Sequence, residues 1–405
     1  MSTRTSAPPG AAWWACLLPS LYAAIVAVVW IAVPGSYPYG HDDIITVGFN
    51  HLIEREVGIA IALTAAAVGL VTVGIGIAGS SRGQPTRGSR TTLRMAGAVA
   101  VAEALCFTFV LGDGAILPMI GYLGALGVPV ALVAVLVLVG RHRPRVGVAL
   151  LVGAAALVAV GLVSGALPAL GRAAVAYLTY LIPSFAHFGP RVLATVGWLA
   201  GAAGWSIAAI CAFRAARSDA PADGATGWTR PAAVRRWGRV ATIAAALGPV
   251  PYGLVRLTWV TPWPLGGLGL DEFVISRELS LTGRLQGFLF VPAVAVGVVL
   301  TLGLISRWGE VFPRWLPVVG GRTVPVNLAV VPGILVAAVI TLSAPGFLLG
   351  PVLAGNPLEI AFTLFFFPFP IWGPALGAAV FAYWLRRTRG ADVTAAPARA
   401  AIEVA

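Results

Sequence analysis

Ten apolar stretches dominate this sequence, at about 13–33, 57–78, 95–111, 117–140, 146–167, 192–213, 240–260, 285–305, 325–349 and 360–385. Each is long enough to cross roughly 30 Å of hydrocarbon as a helix rising about 1.5 Å per residue. Charged residues make up 10% of the chain and apolar ones 59%, whereas a soluble domain carries about 25% charged residues. Too few charges remain to clothe a water-facing surface, which excludes the soluble globular, disordered and collagen-like classes. The sequence therefore predicts an all-α, polytopic transmembrane bundle of about ten spans. The first stretch reads as a retained anchor. Its apolar run exceeds the core of a signal peptide, and the following Pro34-Gly35-Ser36-Tyr37-Pro38 offers no small-x-small cleavage site.

All 27 basic residues are Arg. With ten spans and an inner N-terminus, the pieces 1–12, 79–94, 141–145, 214–239, 306–324 and 386–405 face inward and hold 21 Arg and 5 acids, a net +16. The outer pieces hold 5 Arg and 9 acids, a net −4. Basic loops stay cytoplasmic, so a multi-pass protein of the cell membrane with both termini cytoplasmic is expected. Its partner there is a bilayer with an anionic inner leaflet. Nucleic acid is not an expected partner, because no water-soluble basic module exists. Cys16, Cys106 and Cys211 all fall in apolar segments at wide spacing, which reads neither as a disulfide framework nor as a metal site, and no cofactor is read. Residues 173–190 are apolar but interrupted by Pro183. If they crossed, the Arg-rich loop 214–239 would move outside, so they are expected to be re-entrant or interfacial.

The loop 214–239 divides the chain into a membrane domain over 1–213 with spans 1–6 and a second over 240–388 with spans 7–10, followed by a cytoplasmic tail, 389–405. The last four spans echo the first four: each set opens with a Tyr-to-Trp helix and a long outer loop carrying acids. The echo suggests a 4+2+4 layout with parallel repeats. Gly161-xxx-Gly165, Gly197-xxx-Gly201 and Gly373-xxx-Gly377 place small residues one turn apart, as close helix packing in a membrane requires. The run Leu364 to Pro374 contains Pro368, Pro370 and Pro374 and marks the last span as the one most prone to bend.

Few residues can carry chemistry. Glu103 is the one acid well inside a span. A carboxyl in the membrane is costly, which makes it a candidate coupling site for a proton or cation. Arg256, one turn after Tyr252, is the one base within a span, with Asp271 and Glu272 as its easiest expected partners. His41 and Asp42, with His51 and Glu54, cluster in the first outer loop. Imidazole and carboxylate can hold a divalent metal, and His51 and Glu54 would share a helical face. The spacing matches no specific motif, however, and a solvated acidic loop is the commoner outcome.

The inner segment Arg307-Trp308-Gly309-Glu310-Val311-Phe312-Pro313-Arg314-Trp315 is the most distinctive stretch. Trp308 and Trp315 suit the headgroup zone, Arg307 and Arg314 can meet lipid phosphates, and Glu310 can pair with either Arg. This pattern resembles a loop in multi-spanning membrane proteins of actinobacteria that have no assigned activity. The resemblance covers roughly 235–350 and implies membership of such a family without carrying over any functional residue.

No phosphate-binding Gly-x-x-x-x-Gly-Lys loop, His-Glu-x-x-His, Gly-x-Ser-x-Gly or Cys-x-x-Cys is present. The leading expectation is small-molecule or ion transport, with no enzymatic motif to oppose it. Two alternatives stand beside it. One is a membrane-embedded enzyme acting on a lipid-linked substrate, which requires His41, Asp42, His51, Glu54, Asp271 and Glu272 to converge. The other is a non-catalytic component that docks a partner through its basic inner loops.

Overall fold

A computed structural model describes residues 11–39, 49–80, 87–114, 116–217, 227–265, 280–316 and 319–403. They form thirteen α-helices: α1 (Ala11–Ala15), α2 (Leu17–Ala32), α3 (Arg55–Ser80), α4 (Arg87–Leu105), α5 (Ile116–His142), α6 (Pro144–Val163), α7 (Ala166–Ala215), α8 (Pro231–Leu247), α9 (Val250–Thr258), α10 (Leu281–Gly303), α11 (Val326–Leu353), α12 (Pro357–Phe366) and α13 (Phe369–Glu403). The described residues contain no strand, and Val311 and Thr323 form an isolated antiparallel bridge. Among the described residues, ten helices or helix pairs are long and apolar enough to cross a membrane. Each expected stretch falls on one of them, because apolar runs of this length leave the backbone no partner but itself.

Prolines set several helix boundaries. The chain breaks between α8 and α9 at Pro249 and between α12 and α13 at Phe367-Pro368. The bend expected in the last span is therefore present. Residues 173–190 are helical throughout. They are the continuous first half of α7, with Pro183 and Pro190 inside the helix. No re-entrant break separates its halves.

The chain divides into two compact units, Met1–Ile116 with Phe188–Gly224, and Leu117–His187 with Ala225–Ala405. The expected 4+2+4 repeat is not confirmed. The fourth span, α5, belongs to the second unit, and the C-terminal part of α7 completes the first unit beside α1–α4.

In the first unit, stripes of small residues face a common core: Ala62, Ala65 and Ala66 of α3, Ala96, Ala100 and Ala104 of α4, and Ala202, Ala208, Ala209 and Ala212 of α7. Trp13, Trp30, Trp198 and Trp205 fill the space between them. A Cβ on Gly197 would lie 2.5 Å from Tyr22 Cζ, and one on Gly201 2.6 Å from Phe107 Cδ1. Tyr22 lies edge-on to Trp198 and donates from its hydroxyl to the carbonyl of Ala194 at 3.0 Å. Gly197-xxx-Gly201 is thus a packing face. Gly197→Leu is expected to destabilise this unit by about 1–3 kcal/mol through overpacking. Gly204→Ala, where a Cβ meets nothing within 4 Å, is expected to be neutral or mildly stabilising. Thermal unfolding of the two variants checks the contrast.

In the second unit, α13 packs between α8 and α11 around Ala245, Ala337, Ile340, Phe367, Leu376, Val380 and Tyr383. Gly373 abuts Thr341, while a Cβ on Gly377 would meet only Ala337 at an ordinary 3.8 Å. Gly161-xxx-Gly165 is not a packing pair. Gly165 has φ +70° in the turn that joins α6 to α7, a conformation open to glycine. Helix α6 buries no residue in the protein, as befits an apolar span bathed in hydrocarbon.

Candidate functional site

Glu103 lies on α4, on the turn before the helix changes its hydrogen-bonding pattern. Residues Cys106–Val110 form a π-helical turn, in which the Leu111 amide donates to the carbonyl of Cys106 at 3.0 Å. Such turns insert one residue into a helix and are frequent at functional sites. The Glu103 side chain is 5% exposed, and its Oε2 is buried with no hydrogen-bond partner. Its neighbours Ala100 and Ala104 of α4 and Phe107 of the π-helical turn belong to the apolar core. A buried acceptor left without a donor is an exception that needs a reason, and a carboxyl there can take up a proton or a cation.

In the second unit, Arg256 is 7% exposed. Its Nε donates to the Tyr252 hydroxyl at 2.9 Å, one helical turn away. Its guanidinium carbon lies 3.9 Å from the Trp259 ring centroid, 5.0 Å from that of Tyr252 and 5.8 Å from that of Phe290. Cation–π contacts of this kind partly replace lost hydration. They leave Nη1 buried without a partner. Asp271 and Glu272, the expected partners, lie outside the described residues.

A third cluster eluded the sequence reading. Arg191 Nε donates to Asp113 Oδ2 at 2.7 Å, with the two side chains 3% and 0% exposed. Thr195 Oγ1 accepts from the Asp113 amide at 3.1 Å. Tyr39 donates to the carbonyl of Leu111 and Asn50 Nδ2 to that of Gly112, so the loop after α4 is held from several sides. The Arg191 guanidinium lies over the rings of Tyr39 and Phe188. Both charges sit in segments expected at the same end of the spans. That opposite-sign coincidence, set beside Pro190 and the Gly112-Asp113-Gly114 turn, was the available signal.

The neighbouring loop titrates. Tyr37 follows α2, outside the spans, and donates to the carbonyl of Ile53 at 2.8 Å. Burial, and then the Glu56 carboxylate, pushes its hydroxyl up from 10.0 to about 12. Burial, and then Asp113, also raises Tyr39. A raised phenol binds its proton more tightly in the folded state. Its stabilisation is therefore complete below pH 10.0 and lost as pH rises through about 12. Ultraviolet titration of tyrosinate should show a late component near pH 12 that Tyr37→Phe reduces by one tyrosine's worth of absorbance.

The other expected residues are not brought together by the described structure. His41 and Asp42, like Asp271 and Glu272, lie outside the described residues, and His51 is placed by its backbone alone, in the 3-10 turn Phe49–Leu52. Glu54 is exposed. Next to it, Arg55 caps the end of α2 by donating to the Trp30 carbonyl at 2.7 Å. Among the described residues no group of three His, Cys, Asp or Glu side chains could hold a metal.

Residues 307–316 and 319–324 pair with one another, the Phe312 amide donating to the Arg322 carbonyl and the Val324 amide to the Glu310 carbonyl, each at 2.9 Å. Helix α13 clasps them. Arg386 donates to the Leu304 carbonyl, Arg387 to the carbonyls of Glu310 and Val324, and Tyr383 to the Gly309 carbonyl. Glu310 interacts electrostatically with Arg386 and Tyr383. Among the described residues no ion pair joins Glu310 to Arg307 or Arg314, and its charged neighbour on α13 is Arg386. Arg307, Arg314 and Trp315 remain exposed, and Trp308 is half-buried against Gly303.

No protein-family model, curated protein or solved structure matches this chain. The ten apolar helices fit an integral membrane protein, and the particular activity has to be argued from the side chains above.

Proposed function

We propose that this protein is a transporter of small molecules or ions across the cell membrane, with Glu103 as the carboxyl that couples movement to a proton or cation. The observation that carries this reading is the buried, unpartnered Oε2 of Glu103 beside a π-helical turn. A carboxyl kept only for packing would be expected to have its hydrogen bonds satisfied. An irregular turn within a span supplies a place where helix geometry can change. The Arg distribution supports a cytoplasmic location for both termini. The exposed Arg307, Arg314 and Trp315 then face an anionic inner leaflet.

The test is proton flux in proteoliposomes that hold a pH-sensitive dye and receive a defined mixture of amino acids, organic acids, sugars and alkali cations. The wild-type chain is expected to move protons or shift a coupled cation gradient on that addition, and Glu103→Gln to abolish the signal. A flux carried equally by Glu103→Gln, or none in the wild type, contradicts the reading.

A further inference from the structure

The second unit holds a buried cation with no anion beside it among the described residues. Arg256 keeps one guanidinium face against Trp259 at 3.9 Å and uses Nε for Tyr252, yet its Nη1 has no acceptor. No carboxylate of the described residues pairs with it. A second polar atom is orphaned in the same neighbourhood. The Tyr177 hydroxyl is buried without a partner and interacts electrostatically with Tyr122, Tyr252 and Arg256. Tyr122 and Phe290 complete an aromatic wall, with ring centroids 6.4 Å from Tyr177 to Tyr122 and 5.7 Å from Tyr122 to Phe290. Arg284 adds positive charge nearby by donating to the Trp259 carbonyl at 3.1 Å.

A guanidinium N–H and a phenol O–H are both donors, and both lack an acceptor. Nothing apolar satisfies them, and a metal cation would be repelled. An anionic oxygen satisfies both at once, and charge-assisted bonds from a guanidinium are the strong ones. We propose that Arg256 and Tyr177 form a binding site for a phosphate oxyanion, walled by Tyr122, Tyr252, Trp259 and Phe290. Arg256 supplies the charge, Tyr177 a second donor, and Trp259 holds the guanidinium in plane. The phosphate belongs either to a lipid headgroup or to a soluble phosphate compound, since the recognising chemistry is the same. The site does not depend on the role of Glu103.

The experiment is thermal unfolding of the detergent-solubilised full chain with phosphatidylglycerol added in one arm and inorganic phosphate in the other. The midpoint is expected to rise in at least one arm, which assigns the source. The rise should vanish in Arg256→Gln and shrink at least several-fold in Tyr177→Phe. Without added anion, Tyr177→Phe should be as stable as wild type or more so, because it removes an unsatisfied buried hydroxyl. Tyr177→Phe therefore decides the matter even where Arg256→Gln does not fold. No rise in either arm, or a rise that Tyr177→Phe leaves intact, overturns the proposal.

Discussion

Arg191→Ala is expected to destabilise the first unit by about 3–5 kcal/mol, because it removes the guanidinium that balances the buried Asp113 carboxylate. Asp113 is 0% exposed and has its guanidinium partner at 2.7 Å. The loss does not measure the worth of the pair. Two buried ions surrender hydration that their mutual attraction only partly returns, so replacing both together is often neutral or stabilising. The double variant Asp113→Leu with Arg191→Met is accordingly expected to recover most or all of the lost stability. Thermal unfolding of the single and double variants checks this. Equal instability of the two would mean that the buried pair contributes more to the fold than its desolvation costs.

Glu103→Leu carries the second large effect, and its sign separates function from packing. Oε2 has no donor, so the carboxyl stands as a burden on the fold. An apolar side chain of similar size is expected to raise stability by about 1–3 kcal/mol, the desolvation penalty of one unsatisfied polar group. Transport is expected to be lost in the same variant. Stability gained where activity is lost is the usual mark of a strained functional position. A drop in stability of the same size would instead assign Glu103 a structural role. Glu103→Asp, which keeps the ionisable group but shortens its reach, is expected to retain partial flux.

The sequence carried the spans because their signal is local and additive. Twenty apolar residues in a row decide their own secondary structure without reference to the rest of the chain. The break at Phe367-Pro368 was legible for the same reason. Helix α7 was not. Pro183 weighs against a helix in water, yet in a long apolar segment neighbouring helices and side chains re-satisfy the freed carbonyls, and α7 runs through it. Gly165 illustrates the converse error: small-residue spacing looks the same whether the glycine packs a helix or ends one, and only its φ of +70° tells them apart.

The sites divide in a similar way. Glu103 and Arg256 stood out because charge is rare in spans, and both are buried in the structure. What surrounds them was hidden. Tyr177 lies far along the chain from Arg256, in a segment read as interfacial, and no periodicity links the two. Asp113 and Arg191 fall in connecting segments by sequence, yet they are among the most deeply buried polar residues of the first unit. Depth within a span is legible from sequence, but which loop ends fold inward depends on tertiary contacts such as Tyr39 to Leu111.

Dye-reported proton flux in sealed proteoliposomes, wild type against Glu103→Gln at equal insertion, tests the central claim most directly. The account predicts substrate-dependent flux in the wild type and none above empty liposomes in Glu103→Gln. Indistinguishable flux from the two proteins would contradict it.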